Sequence, residues 1–272
     1  MTMTTIQALS VAIIGAALLL LVQQHGRQVL LGYVSLAVAG WVGEETCIRC
    51  YDFYHYSDEW WLQLDRVPLL ITLIWPLVIL SARDVARALG ALSIRGMAVA
   101  VFVIVSVDAS MVEIIAVARG MWSWTEPGYL LVPIVGILGW GFFAASAVTW
   151  LEWCDRHARR WEIFAVVLGP LAAHALILVA WWGCFRWTLR GAMTPPVWIM
   201  MVPSVAVIAW LVASKRVGVV GITIQLPRMI AAGLFFAIVA TLSTTILPAL
   251  LFHTAAVAVM YLVATRYRAG RV

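Results

Sequence analysis

Apolar runs of about 18 to 25 residues follow one another along almost the whole chain, and that is the length over which a helix crosses the hydrocarbon of a bilayer. Nothing else in the sequence constrains the fold as much. Backbone N–H and C=O groups find no water inside lipid, so a spanning segment has to satisfy them internally, and uninterrupted runs do so as helices. With 64% hydrophobic and 11% charged residues and a mean hydropathy of +0.99, the chain carries more apolar sequence than a soluble core uses. The expected fold is all-α: a single integral-membrane domain, residues 1–272, built as a polytopic helical bundle.

Nine spans can be drawn, near residues 6–23, 28–46, 67–83, 95–118, 130–151, 162–183, 197–213, 229–247 and 248–265. Only Pro248 separates the last two, so eight is the alternative. Alternate connections share their basic residues unevenly. One set holds Arg27, Arg83, Arg87, Arg95, Arg156, Arg159, Arg160, Lys215, Arg216, Arg228 and the tail residues Arg266, Arg268 and Arg271, whereas the other holds only Arg49, Arg66, Arg119, Arg186 and Arg190. Cytoplasmic connections collect Lys and Arg, so the N-terminus is expected outside and the C-terminus in the cytoplasm. The expected location is the plasma (inner) membrane of a prokaryote.

The same bias accounts for the net charge of +5, which therefore gives no reason to expect a nucleic-acid partner. Histidines 25, 55, 157, 174 and 253 are scattered without metal-ligand spacing, and no metal site is expected. Cysteines 47, 50, 154 and 184 are too few for a disulfide scaffold. No aspartate-rich cluster holds magnesium diphosphate and no Gly-rich loop cradles phosphate, so no cofactor is expected either. The N-terminal stretch lacks a basic n-region and a cleavage site and reads as a retained span. The longest polar segment, Glu44 to Arg66, lies on the outer side and is dense in aromatics and acids.

Chemistry concentrates between Val107 and Trp140. There Asp108 and Glu113 sit inside an apolar helix, followed by a loop rich in Trp, Gly and Pro. At about 1.5 Å per residue they lie roughly 16 Å and 9 Å below the outer end, and five residues of spacing turns them about 140° apart. An ionisable residue at membrane depth is costly and is a functional-site hypothesis by default; the structural alternative is a hydrogen bond or a buried pair with Arg119 or a neighbouring arginine. Glu44 and Glu45 close the second span on the same side. Neighbours on a helix point about 100° apart, so at most one of them faces the interior and meets Glu113. Tyr54, Tyr56, Trp122, Trp124 and Trp140 fall in or beside the two acid-bearing segments, and ring faces steady a nearby cation; interfacial aromatic belts also supply such residues. Cys47-Ile-Arg-Cys50 is a C-x-x-C without the βαβ context of a thioredoxin. His174 and His253 lie within spans and are set aside as helix-to-helix hydrogen bonds.

The run from Glu113 through Gly120, Trp122 and Trp124, then Tyr129, Val132-Pro133 and Gly139-Trp140, resembles the membrane carotenoid-biosynthesis family of carotenoid 1,2-hydratases and bacterioruberin-type hydratases. That family has an acid, G-x-W-x-W, Y-x-G-V-P and N-x-x-G-W. Upstream, Glu45, Tyr54-His55-Tyr56-Ser57-Asp58, Val67-Pro68-Leu69 and Trp75 are similar to its acid, Y-x-Y-[ST]-D, V-P-L and W. The similarity covers roughly residues 40–155. Departures are Glu113-Ile114 for the family's Asp-Pro, Leu131 for the Gly of G-V-P, and Gly136 for the Asn before G-W.

The resemblance implies an enzyme that adds water to the terminal double bond of an acyclic carotenoid, with a lipophilic polyene as substrate and the bilayer as surroundings. Protonating an alkene calls for a buried acid. Glu113 is the expected general acid, Glu45 or Glu44 its charged partner, Asp108 a source of local polarity, and Trp122, Trp124, Trp140, Tyr54 and Tyr56 the substrate-binding wall. A membrane terpene or carotenoid cyclase would use the same carboxylates. The readings from other classes are a transporter or assembly subunit and an outer-face thiol oxidoreductase.

Overall fold

The computed structural model describes residues 1–126, 128, 130–186 and 221–244, together with 247, 248, 250, 251, 254, 255 and 257. Helices α1 (Met3–His25), α2 (Val29–Tyr51), α3 (Leu69–Ala88), α4 (Ile94–Arg119), α5 (Ile134–His157) and α6 (Ala165–Ala180) follow one another, and α7 is Ile222–Val239. A 3-10 segment, Arg159–Phe164, leads into α6, and a π-helical turn, Trp181–Phe185, extends it. Among the described residues, five helical stretches are long and apolar enough to cross a membrane: α1, α3, α4, α5 and the continuous Arg159–Phe185. The expected span at 197–213 lies outside the described residues, as does most of 248–265.

Local chemistry sets the helix limits. The Thr2 hydroxyl accepts from the Thr5 amide at 3.2 Å to cap α1, and the Ser93 hydroxyl accepts from the Gly96 amide at 3.0 Å to cap α4. Pro68 and Pro133 stand at the N-caps of α3 and α5, where a missing N–H leaves no helix bond unmade. Three boundaries differ from expectation. α2 runs on to Tyr51 and carries Glu44, Glu45 and Cys47 in helix, closing on Asp52 in the left-handed region. The seventh described helix occupies 222–239 rather than 229–247, and the chain turns at 240–244 while Pro248 is already helical. The fold is also not purely α. Strand β1 (Tyr54–Tyr56) pairs antiparallel with β4 (Trp122–Trp124), and β2 (Gln63–Leu64) pairs with β3 (Val67–Pro68).

Alternate connections gather at opposite ends of the bundle. At one end His25 Nε2 lies 3.0 Å from Asp84, Arg83 Nε donates to Glu152 at 2.7 Å, Arg83 also pairs with Asp155, and Arg156 donates to the Leu92 carbonyl at 3.0 Å. At the other end lie both ladders, and Gln7 there donates to the Glu59 carbonyl at 3.0 Å while accepting from the Trp61 amide at 2.7 Å. Between them Leu36, Ile79, Val101, Val105, Ala144 and Ala147 form a water-free core where α2, α3, α4 and α5 meet.

Arg228 departs from the loop position expected of it. It lies inside α7, buried, where it pairs with Asp108 of α4 and donates to the Ser81 hydroxyl of α3 at 2.9 Å. Arg119 instead donates to the Met1 carbonyl at 3.0 Å, so the partner of Asp108 comes from 120 positions along the chain and not from its own helix.

Two predictions follow from these contacts. Replacing one member of a buried pair leaves the other charge uncompensated at a cost of about 3–5 kcal/mol, whereas replacing both removes it. Asp108→Leu is therefore expected to lower the thermal midpoint of the purified protein sharply, and Asp108→Leu with Arg228→Leu to recover most of the loss; equal losses in the single and double variants would contradict the pairing. Leu131, at φ 72° and 57% exposed, holds a left-handed backbone that costs a non-glycine residue roughly 1–2 kcal/mol. Leu131→Gly should raise the same midpoint, and a fall would show that its side chain contributes more than the backbone strain removes.

Candidate functional site

In an extended strand, residues two apart share a face. Tyr54 and Tyr56 on β1, and Trp122 and Trp124 on β4, therefore turn inward, while His55 and Ser123 between them are exposed. The register sets Tyr54 opposite Trp124 and Tyr56 opposite Trp122. Extra backbone bonds lock the ladder in place: the Thr125 amide donates to the Phe53 carbonyl at 2.9 Å and the Ser57 amide to the Met121 carbonyl at 3.0 Å. β1 follows the end of α2 and β4 follows the end of α4, so this short ladder joins the C-terminal ends of the two acid-bearing helices.

Beneath it lie two buried carboxylates, each held by three aromatic donors. Glu113, 3% exposed, accepts at Oε2 from the indole N–H groups of Trp122 and Trp124, both at 2.9 Å, and at Oε1 from Trp140 at 2.7 Å. Glu44, 8% exposed, accepts at Oε2 from the hydroxyls of Tyr54 and Tyr56, the latter at 2.8 Å, and at Oε1 from the indole of Trp75 at 2.8 Å. The donor rings then pack across the gap in pairs. Tyr54 and Trp124 have centroids 4.8 Å apart, Tyr56 and Trp122 5.7 Å, and Trp75 and Trp140 4.7 Å. In every pair one ring serves Glu44 and the other Glu113.

Two glycines make room for these rings. A Cβ on Gly40 would stand 2.7 Å from the Trp75 ring, and one on Gly136 would meet the Trp124 indole within 3.0 Å, so each indole lies directly on a helix backbone. The two acids and their donors line one cavity of about 70 Å³, lined also by Phe53, Val135, Phe143, Ala173, His174 and Ile177. A buried water needs roughly 10–15 Å³ on this measure. The space therefore takes a few waters or the branched end of a hydrocarbon, and not a long molecule.

The arrangement has a definite chemical capacity. An ionised carboxylate offers about four acceptor positions. Three are filled on each acid, and the position left open is on Oε1 in both. Burial first, and then the adjoining Glu44, holds the phenols of Tyr54 and Tyr56 well above their ordinary range, so both keep their protons and donate. His174 on α6 adds a third polar group. Neither of its ring nitrogens has a partner among the described residues, and its ring meets Tyr51 edge-on at 5.5 Å. Among the described residues no three His, Cys, Asp or Glu side chains are placed to hold a metal ion.

Of the sequence candidates, Glu113, Glu44, Tyr54, Tyr56, Trp122, Trp124 and Trp140 come together in this cavity. Glu45 does not. It turns to the side of α2, pairs with Arg49, and accepts from the Arg66 amide at 3.3 Å, tying the β2–β3 turn to the helix; the 100° step between helix neighbours separates it from Glu44. Asp108 is absent as well, because its ion pair with Arg228 lines a different cavity. Cys47 borders the site, while Cys50, one turn on, is exposed. Two site residues were missed. Trp75 was visible only as part of a motif, and its role as a donor depends on α3 packing against Gly40. His174 was set aside, and nothing in its flanking sequence shows that both nitrogens face a cavity. His253 and Tyr129 lie outside the described residues.

Indole N–H resonances report this geometry directly. In tryptophan-labelled protein, Glu113→Gln is expected to shift the signals of Trp122, Trp124 and Trp140 together and leave Trp75 nearly unmoved, with Glu44→Gln giving the reverse; independent movement of the three would contradict a shared acceptor. Comparisons of the chain with protein-family models, with curated proteins and with solved structures find no match.

Proposed function

We propose that this chain is an integral-membrane isoprenoid-modifying enzyme, a carotenoid hydratase of the lyase class, which protonates the terminal double bond of an acyclic carotenoid and lets water take the resulting cation. The observation that carries the reading is the pair of buried acids, Glu44 and Glu113, bound among the described residues by neutral donors alone and sharing one aromatic cavity. An acid paired with arginine is fixed as an anion, whereas one held by indoles and phenols can carry or release a proton.

In the proposed step the Glu113 carboxyl gives its proton to the less substituted alkene carbon, and the π electrons form the new C–H bond. The adjacent carbon becomes a tertiary cation. Two phenols and an indole hold the negative charge on Glu44, and that charge and the ring faces of the wall steady the cation. A water oxygen then forms the C–O bond, and its surplus proton returns to a carboxylate, so the product gains one water. A neutral imidazole has one acceptor nitrogen, and His174 is placed to orient that water.

The companion proposals are nine spans, an external N-terminus, a cytoplasmic C-terminus and a prokaryotic plasma membrane, with substrate arriving laterally from lipid. If the chain's own double bond captured the cation instead, the protein would be a cyclase with the same acids.

Pigment analysis after expression in a lycopene-accumulating host tests this. A product heavier by one water supports the hydratase; a product of unchanged mass, with rings, supports the cyclase. General acid catalysis contributes about 10²–10⁴-fold, so Glu113→Gln and Glu44→Gln are each expected to lose about 10²-fold or more of the turnover at equal protein level. Glu45→Gln should stay within about threefold of wild type, since its partners lie outside the cavity. Full activity in Glu113→Gln would overturn the assignment. Proton flux without turnover would favour a transporter, and loss of function in Cys50→Ser a thiol oxidoreductase.

A further inference from the structure

A second cavity of about 140 Å³, twice the volume of the first, lies between α1, α3, α4 and α7. Its lining is almost wholly aliphatic and aromatic, with Ile14 and Ala17 from α1, Val78 from α3, Met111 from α4, and Ala232 and Phe235 from α7. Its charged residues are Asp108 and Arg228, which are turned on each other. Ile71, Trp75, Trp122 and Trp140 line both cavities. Three of these four are donors to the buried acids, so the acid chamber and the apolar chamber meet at one shared wall of indoles.

We infer that the second cavity is the seat of a hydrocarbon chain, the part of an acyclic isoprenoid that continues from a reacting end held between Glu44 and Glu113. The identity of that end rests on the function proposed above; the chain site rests on the cavity. Size decides the division. The acid chamber takes a branched end group but no more, so any longer substrate has to continue elsewhere, and the neighbouring space beyond Trp75 and Trp140 is the apolar one. Its chemistry agrees, since a chamber with paired charges offers a polar headgroup little and a row of methyl and methylene groups much. The pocket thus selects for length and for the absence of polar groups near the reacting end.

The test uses the full chain in lipid nanodiscs and a photoprobe: an acyclic prenyl hydrocarbon with a free dimethylallyl terminus and a diazirine at the opposite end. Labelling is expected on α1 or α7 residues that line the cavity, displaced by excess squalene. Overpacking and lost contacts of about 1.4 kcal/mol correspond to tenfold in affinity, so Ala17→Phe and Ala232→Phe, which fill the chamber from α1 and from α7, should each cut labelling about tenfold. Glu113→Gln should leave labelling in place. Label confined to outward positions such as Leu19 and Val99, or unchanged in both filled variants, would overturn the inference. Turnover is scored separately. Saturable labelling in a protein that converts no isoprenoid supports the chain site while refuting the proposed enzyme, and normal turnover with labelling indifferent to both fillings does the opposite.

Discussion

Two carboxylates are buried with no cation beside them among the described residues, and most of the end of the molecule that carries the strand ladders is arranged to make that tolerable. A buried acid without donors is driven out of its charged form or out of the fold. Here each has three aromatic donors, and meeting that need fixes several things at once. Trp122 and Trp124 must approach Glu113 from the same face, which a two-residue spacing achieves only in extended backbone. Tyr54 and Tyr56 must do likewise for Glu44, and pairing the two strands satisfies their backbones. Gly40 and Gly136 then keep the helix surfaces flat where Trp75 and Trp124 lie against them.

The kind of partner separates six acids of this chain into two groups. Glu45, Asp108, Glu152 and Asp155 are all paired with arginine, and each ties one segment to another: Glu45 holds the β2–β3 turn, Asp108 holds α7, and Glu152 with Asp155 holds α3 to α5. Glu44 and Glu113 have no arginine partner among the described residues, and both face one cavity. A guanidinium contributes a permanent charge and makes its acid a fixture. Phenols and indoles bind either oxygen without dictating the net charge of the site. Depth along the helix first favours Asp108 as the candidate reactive group; partner chemistry moves the proposed role to Glu113.

Much of this was legible in the sequence, and the illegible remainder has identifiable causes. Helices 3–25, 69–88, 94–119 and 134–157 follow from apolar length, and Glu113 stands out because little else polar interrupts its helix. The β1–β4 ladder was not seen because three-residue strands are shorter than any periodic window. Its signal was nevertheless present: Tyr-x-Tyr and Trp-x-Trp each repeat at two residues, the period of a strand rather than of a helix. Choosing Glu44 over Glu45 needed the rotation of α2, which is set by contacts with α3 and α6 and by nothing local. Arg228 was counted with a loop because its helix starts seven residues earlier than hydropathy suggests, and its partner is remote in sequence.

Three of the six rings that satisfy the acids, Trp75, Trp122 and Trp140, also form the wall of both cavities, and that double use shapes what the site can do. Each indole or phenol directs its polar edge at a carboxylate, so its face is left for the neighbouring ring or the cavity. The pairs are tilted rather than stacked, with interplanar angles of 46° for Trp75 and Trp140, 54° for Tyr54 and Trp124 and 74° for Tyr56 and Trp122, so part of each face stays uncovered. A positive charge formed in the cavity would meet π-electron density on several sides, with an anion behind the rings on at least one. Among the described residues, water admitted to such a space would meet the open Oε1 positions and His174 as acceptors. Under the proposed function these are the groups that would hold it where a cation could be captured.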